Sequence, residues 1–263
     1  MKRYLLLILS VCIAFSIFTS CNKPQSGPDD AEPDGESLTL RVGTYNIKNG
    51  AGVGHDMSVL ASDITACNLD VVGLQEVDIN TKRSGYKNTL QLLADAAGYP
   101  YYKFARAIDF QGGEYGTAIL SRYPITSFEV ITLTTDADIE ARSLGHAVID
   151  MNGVSIDFFN THLSFENTEI RIKQFEEIYE KTKTSKVFII TADFNTAVNS
   201  EFAYIRDSFR ANDNTYNTFS NKSAIDDIVL SRQWTVTDKG MADIKTHSDH
   251  SLFWAEIKYN DPL

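Results

Sequence analysis

The sequence predicts an α+β domain in which two mixed β-sheets pack face to face with helices on their outer sides. Strand-like apolar runs alternate with helical stretches in each half of the chain, and strand pairs without a helix lie between the halves. The strands are many and hydrophobic, with helices to cover them from two sides. A length of 263 residues allows one large domain with a substantial core. Contents of 43% hydrophobic and 22% charged residues place that domain among ordinary soluble globular proteins.

The first 37 residues stand outside this pattern. Lys2 and Arg3 precede an apolar run from Leu5 to Phe18, the size of a signal-peptide core and short for a membrane span. Phe18-Thr19-Ser20-Cys21 resembles a bacterial lipobox, so residues 1–20 read as a signal peptide and Cys21 as the acylated N-terminus. Residues 22–37, rich in Pro, Gly, Asp, Glu and Ser, read as a flexible tether, and 38–263 as the folded domain. The expectation is a monomer anchored outside the cytoplasm, and Asn22 suits sorting to the outer membrane. With Cys12 in the leader and Cys21 lipidated, Cys67 has no intrachain partner for a disulfide. Removing residues 1–20 takes two positive charges and no negative ones, so net charge moves from −11 to −13. That field opposes polyanions unless a bound divalent cation reverses it locally.

Leu38–Ile47 alternates as a strand with one half-polar face and delivers Asn46 to its end, before the glycine-rich stretch 50–54. Val59, Leu60, Ile64 and Cys67 fall at helical spacing from Asp56 to about Asn68. Leu69–Val77 is a second apolar strand, ending at Glu76. Thr89–Ala97 is helical and stops at Gly98 and Pro100. The aromatic run Tyr99-Pro100-Tyr101-Tyr102 reads as core rather than as a membrane-inserting hairpin. The loop 112–116 feeds a strand at Thr117–Leu120, and further strands are expected at Ser127–Leu133, Ser143–Asp150 and Val154–Leu163. The last of these carries Asn160 and His162 on one face. Asn167–Lys183 is an amphipathic helix with lysines in its last turn, where the helix dipole favours them.

Val187–Ile190 has the unbroken apolar pattern of a strand buried on both faces, then ends in Asp193-Phe194-Asn195. Side chains two apart share a face, so Asp193 and Asn195 point together from the sheet's end while Phe194 turns into the core. A short helix is expected at Ser200–Phe209, a strand with Asp226 and Asp227 at Ala224–Leu230, a polar turn at 247–250 and a last strand at Leu252–Ile257.

Singly, each polar strand end has a plain explanation: a turn cap, a solvated edge or a satisfied histidine. Five apolar strands ending in groups that bind a hard cation or move a proton are not explained that way. Oxygen donors such as Asn46, Glu76 and Asp249 suit Mg²⁺ or Mn²⁺. The sequence has no paired cysteines, no His-Glu-x-x-His, no Gly-x-Ser-x-Gly elbow and no glycine-rich phosphate loop ending in Lys-Ser/Thr.

Thr44-Tyr45-Asn46-Ile47, Leu74-Gln75-Glu76-Val77, Tyr115-Gly116 with Ala118–Arg122, Asn160-Thr161-His162-Leu163, Asp193-Phe194-Asn195, Ile225-Asp226 and Ser248-Asp249-His250 together resemble, in order, the endonuclease/exonuclease/phosphatase superfamily. The resemblance spans 38 to about 258 and implies a four-layer α/β/β/α sandwich and Mg²⁺-dependent cleavage of phosphate esters, with Mn²⁺ as a substitute. It implies that Glu76 and Asn46 hold the metal with help from Asp249, and that His250, oriented by Asp226, is the general base. Asp193 and Asn195 would position the nucleophile and a phosphoryl oxygen, and His162 would bond the phosphate. Tyr115, Arg142 and Asn160 would be further substrate contacts. Asp227 should point away from Asp226.

The histidine in Asn-Thr-His-Leu is similar to the branches that hydrolyse sphingomyelin, deadenylate RNA, cut DNA nonspecifically or remove inositol phosphates. Gln75–Asp78 followed by Arg83-Ser84 resembles a bacterial subgroup, in which Arg83 is a substrate contact or a solvated turn residue. The expected activity is that of a phosphodiesterase on lipid headgroups or small molecules. A nonspecific nuclease, a sugar or inositol phosphatase and a non-catalytic surface binding lipoprotein are the alternatives. The last predicts broken catalytic positions, and all are intact here.

Overall fold

The structure is a computed structural model that describes residues 38–242 and 247–260. The expected signal peptide and lipidated tether lie outside the described residues. The first sheet has the order β11-β12-β1-β2-β4-β3. Its strands are β1 (Thr39–Asn46), β2 (Val71–Ile79), β3 (Tyr101–Phe110), β4 (Gly113–Ser121), β11 (Trp234–Met241) and β12 (Phe253–Tyr259). The second has the order β5-β6-β7-β8-β10-β9. It contains β5 (Ile125–Thr132), β6 (Ser143–Met151), β7 (Val154–His162), β8 (Phe188–Asp193), β9 (Ser208–Arg210) and β10 (Asp226–Ser231). Each sheet is mixed: β1–β2 and β7–β8 are parallel pairs and the remaining neighbours are antiparallel.

The sheets stack with β2 over β7, β4 over β6 and β1 over β8 and β10. Leu40, Val42, Val71 and Ile119 meet Ala147, Phe158, Ile189 and Ile228 between them. Helices α1 (Met57–Ala66) and α2 (Thr89–Ala97) cover the outer face of the first sheet through Leu60, Ile64 and Leu93. On the second, α3 (Thr168–Thr182) and α4 (Asn199–Phe202) pack through Phe175 and Phe202, whose rings lie 5.6 Å and 4.8 Å from Phe194. Each such buried side chain contributes about 1.5–3 kcal/mol. The four layers are therefore as expected, and Phe194 does turn inward.

Helix limits follow local chemistry. Asp56, Asn88 and Asn167 cap α1, α2 and α3 by accepting backbone N–H bonds, and Gly98, at φ 73°, ends α2 in a left-handed turn that glycine adopts without strain. Three expectations need correction. The helix at Ser200–Phe209 is only the four residues of α4, because Ser208–Arg210 is drawn into pairing with β10. Strands β3 and β11 were not expected; both are sheet edges with charges along them, a pattern that blurs alternation. Tyr99 is core as expected, but Tyr101 on β3 is exposed.

Candidate active site

Strand direction brings the polar tips to one edge. Parallel β1 and β2 both end there, as do parallel β7 and β8. Antiparallel β10 begins there, with Asp226 in register with Asp193. Antiparallel β12 also begins there, so the turn before it delivers Asp249 and His250. Ser248 Oγ fixes that turn by donating to Asn46 O at 2.8 Å.

Glu76 sits in the sheet with φ 58°, at a break in β2–β4 register between Leu74 and Val77. A bulge of this kind re-aims a side chain, and the strained backbone concentrates where function requires it. Its Oε1 accepts from Asn46 Nδ2 at 3.0 Å, and the same amide donates to Asp193 Oδ2 at 3.0 Å. Asn46 thus joins the two sheets. Asp249 lies beyond it, closed by Lys48 Nζ at 2.7 Å from Oδ2. The bond to Asp249, and after it the charges of Asp249 and Glu76, raise the Lys48 pKa despite partial desolvation.

Deeper in, His250 Nδ1 donates to Asp226 Oδ2 at 2.8 Å, and its Nε2 lies 3.6 Å from Asp193 Oδ2. Asp226 is fully buried, and its Oδ1 has no partner among the described residues. Asp193 accepts from Asn195 N at 3.0 Å, while Asn195, which lines the cleft, donates its Nδ2 to Leu163 O at 2.8 Å. His162 Nε2 stands 3.4 Å from Asp193 Oδ2, and its buried Nδ1 is unpartnered.

Charge divides the two histidines. Burial, then the Arg142 guanidinium and then His250, hold the His162 pKa well below 6.5, so it is neutral at pH 7. Burial pulls His250 down, but the carboxylates of Asp226 and Asp193 outweigh it and lift the imidazole to about 10. Burial, and next the Asp226 charge, push Asp193 up to about 7.

A cleft of about 390 Å³ opens above these groups. Tyr115 and Arg142 line it; Arg142 is buried, with Nη1 on Glu140 Oε1 at 2.8 Å and Nε unpartnered. Asn160 does not line it. Its amide donates to Leu74 O and Ala118 O and accepts from Gln75 and Thr191, making it a fully buried clamp between the sheets. Glycine at 73 makes this clamp possible, since a Cβ there would lie 2.0 Å from Thr191 Oγ1 and 2.5 Å from Asn160 Oδ1. Arg83 is not among the residues that line the cleft, and it is half-buried rather than freely solvated. It grips Asp78 with two bonds of 2.7 and 2.8 Å and packs over Phe110 and Tyr115. Asp227 points away from the site, to Arg210.

Sequence reasoning missed Lys48, Glu140, Phe165 and Phe219. Phe165, 66% exposed, stands at the cleft rim, and Phe219 packs on the His250 ring at 4.7 Å. Lys48 opens a short 3-10 helix and the other three are loop residues, although the spacing of Glu140 to Arg142 was a readable hint.

Residues 43–250 match the model of the Endonuclease/Exonuclease/phosphatase family. The chain belongs to this family. Its members are phosphohydrolases, and the class extends to this chain. Among solved structures, the endonuclease/exonuclease/phosphatase from Beutenbergia cavernae is similar with TM-score 0.73 and 19% identity, over 85% of this chain and 72% of that one. The mannosyl-6-phosphatase of Bacteroides thetaiotaomicron gives 0.65 and 20%, over 83% and 99%. D. rerio TDP2 in complex with a single-strand DNA product gives 0.65 and 19%, over 83% and 98%. At these identities the likeness is one of fold. No curated protein matches the chain in sequence.

The family site suits a hard cation. Glu76, Glu140, Asp193, Asp226 and Asp249 outnumber Arg142, Lys48 and a protonated His250, so a phosphate would meet net repulsion without added positive charge. The Lys48 ammonium against Asp249 shows that this carboxylate attracts a cation. Asp193, Asp226 and His250 also bring ligand atoms within 4.8 Å of one another. There the 2.8 Å hydrogen bond between Asp226 Oδ2 and His250 Nδ1 already ties two of the three groups to each other. Glu76, whose second oxygen has no hydrogen-bond partner among the described residues, is the better anchor for a metal.

Proposed function

We propose that this chain hydrolyses phosphodiesters with a divalent cation, Mg²⁺ or in its place Mn²⁺, and a water activated by His250. The observation that carries the reading is the convergence of Asn46, Glu76, His162, Asp193, Asp226 and His250, from six segments, on one buried edge. Glu76, with Asn46 and Asp249 beside it, would hold the cation. When bound, the cation would neutralise a phosphate oxygen, ease departure of the leaving oxygen and lower the His250 pKa into the range where imidazole accepts a proton at neutral pH.

The protein groups divide the remaining work. Asp226 holds His250 by Nδ1, so Nε2 faces the cleft and takes the proton from water. Asp193, itself held by Asn46 and Asn195, orients that water in line with the leaving group. Neutral His162 donates a hydrogen bond to a phosphoryl oxygen, and Asn195 and Arg142 bracket the phosphate. Glu140 beside Arg142 favours a monoanionic diester over a dianionic monoester. In the same proposal the chain stands outside the cytoplasm on an acylated Cys21, and the lipobox-like Phe18-Thr19-Ser20-Cys21 supports it.

Hydrolysis of bis-p-nitrophenyl phosphate tests the reading: turnover with Mg²⁺, abolished by EDTA and restored by excess Mg²⁺. No turnover of diester or monoester under any of these conditions would favour a binding lipoprotein.

A further inference from the structure

The edge of the sandwich opposite the site carries a second charged feature. A concavity of about 340 Å³ lies between the end of α3, the start of β8 and the turn after β10. Lys183, Lys186, Arg206 and Arg232 line it, all exposed, with Asp207 as the one carboxylate among its lining residues. Lys183 is paired with Glu180, but Lys186, Arg206 and Arg232 have no carboxylate partner among the described residues. In a chain with 35 acidic and 24 basic residues, three unpaired cations around one hollow make a local reversal of field.

The place of this hollow decides its partner. Leu38 O, where the domain begins, accepts from Tyr259 N, and the adjacent Asn260 N donates to Gln233 O. Gln233 follows Arg232 in the wall of the hollow, and Ser231 Oγ accepts from Phe188 N. The basic hollow and the start of the domain therefore share an edge. β1 runs from that edge to Asn46 over 8 residues, which puts the catalytic mouth roughly 25 Å away. Residues 22–37 reach about 55 Å at most when fully extended, so a lipid on Cys21 would keep this domain near a bilayer without fixing its orientation.

We infer that the hollow around Lys186, Arg206 and Arg232 docks on anionic phospholipid headgroups and turns the catalytic cleft toward the aqueous side. The substrate then arrives from solution rather than from the membrane beneath. Phosphate oxygens of packed headgroups suit the hollow, because arginine and lysine bind them with charge-assisted hydrogen bonds and gain as several engage one surface.

The test is lysine acetylation of the exported, processed chain on vesicles of phosphatidylglycerol, with phosphatidylcholine vesicles as reference. Lys186 should be acetylated about tenfold more slowly on the anionic vesicles, and high salt should restore its rate. Lys222, exposed on the turn that carries Phe219 to His250, should react equally on both. Arg206→Glu combined with Arg232→Glu, both exposed and tolerable to the fold, should remove the protection of Lys186. Equal Lys186 rates on the two vesicles, or protection of Lys222 in its place, would overturn the assignment. Protection of Lys186 by inorganic phosphate without vesicles would mark a soluble-anion site and overturn it too.

Discussion

Asp226 and Asp227 are consecutive, both fully buried, and each faces a cationic side chain, yet they occupy opposite kinds of environment. Asp227 is saturated: Arg210 Nε at 2.8 Å, Asn212 N at 2.8 Å and Ile228 N at 2.7 Å all donate to it. Asp226 has His250 and an oxygen left without a partner. The same contrast separates Glu201 on α4, held by Arg171 and Thr196, from Glu76 at the cleft. Saturated buried carboxylates hold the fold, whereas unsaturated ones remain available to water, proton or cation.

The contrast breaks most clearly by mutation. His250→Ala and Asp226→Asn should each lower kcat on the order of 10²–10⁴-fold, with the circular-dichroism spectrum of the fold retained. Equal activity would mean that the proton acceptor is another group. Arg210→Ala should do the reverse, leaving Asp227 buried without its counter-charge and costing about 3–5 kcal/mol in urea denaturation, with turnover retained. An intermediate effect on both axes is expected of Gly73→Ala. Its Cβ would collide with Thr191 and Asn160, costing about 1–3 kcal/mol, and would displace Gln75, the neighbour of Glu76, enough to slow turnover as well. Stability loss with unaltered kcat would show that the clamp does not reach the site.

The smallest effect concerns His146, far from the site. Burial lowers its pKa, but hydrogen bonds to Asp157 and Glu129 outweigh it and raise the folded value. Because the folded pKa lies above the unfolded one of about 6.5, the stabilisation is complete below that pH and is lost as pH rises through the folded value. Urea midpoints of wild type should therefore fall across that window, and His146→Gln should remove that part of the slope.

The strand tips were legible because a strand buried on both faces can be written only in apolar residues. An Asp or Asn at its end, as at Asp193-Phe194-Asn195, then stands out. Helix limits were legible where a cap marks them, as Asn167 and Gly98 do. What alternation could not reveal was edge pairing: Ser208–Arg210 is a strand only because β10 offers it a partner, and β3 carries Lys103, Arg106 and Asp109 along an open edge. Asn160 was visible as a polar residue on a buried strand, but whether it faces the cleft or the opposite sheet depends on Gly73, 87 positions earlier. Glu140 and Phe165 reach the site through loops and Lys48 from a short 3-10 helix, paths that no strand or α-helix periodicity encodes.

In the proposed division of labour, the Glu76 side of the cleft holds the cation while Asp226 and His250 move the proton. Locating Mn²⁺ by anomalous diffraction from crystals soaked in the metal tests it most directly. One strong peak is expected in contact with the Glu76 carboxylate, beside Asn46 and Asp249. A peak seated among Asp193, Asp226 and His250, or none at all, would contradict it.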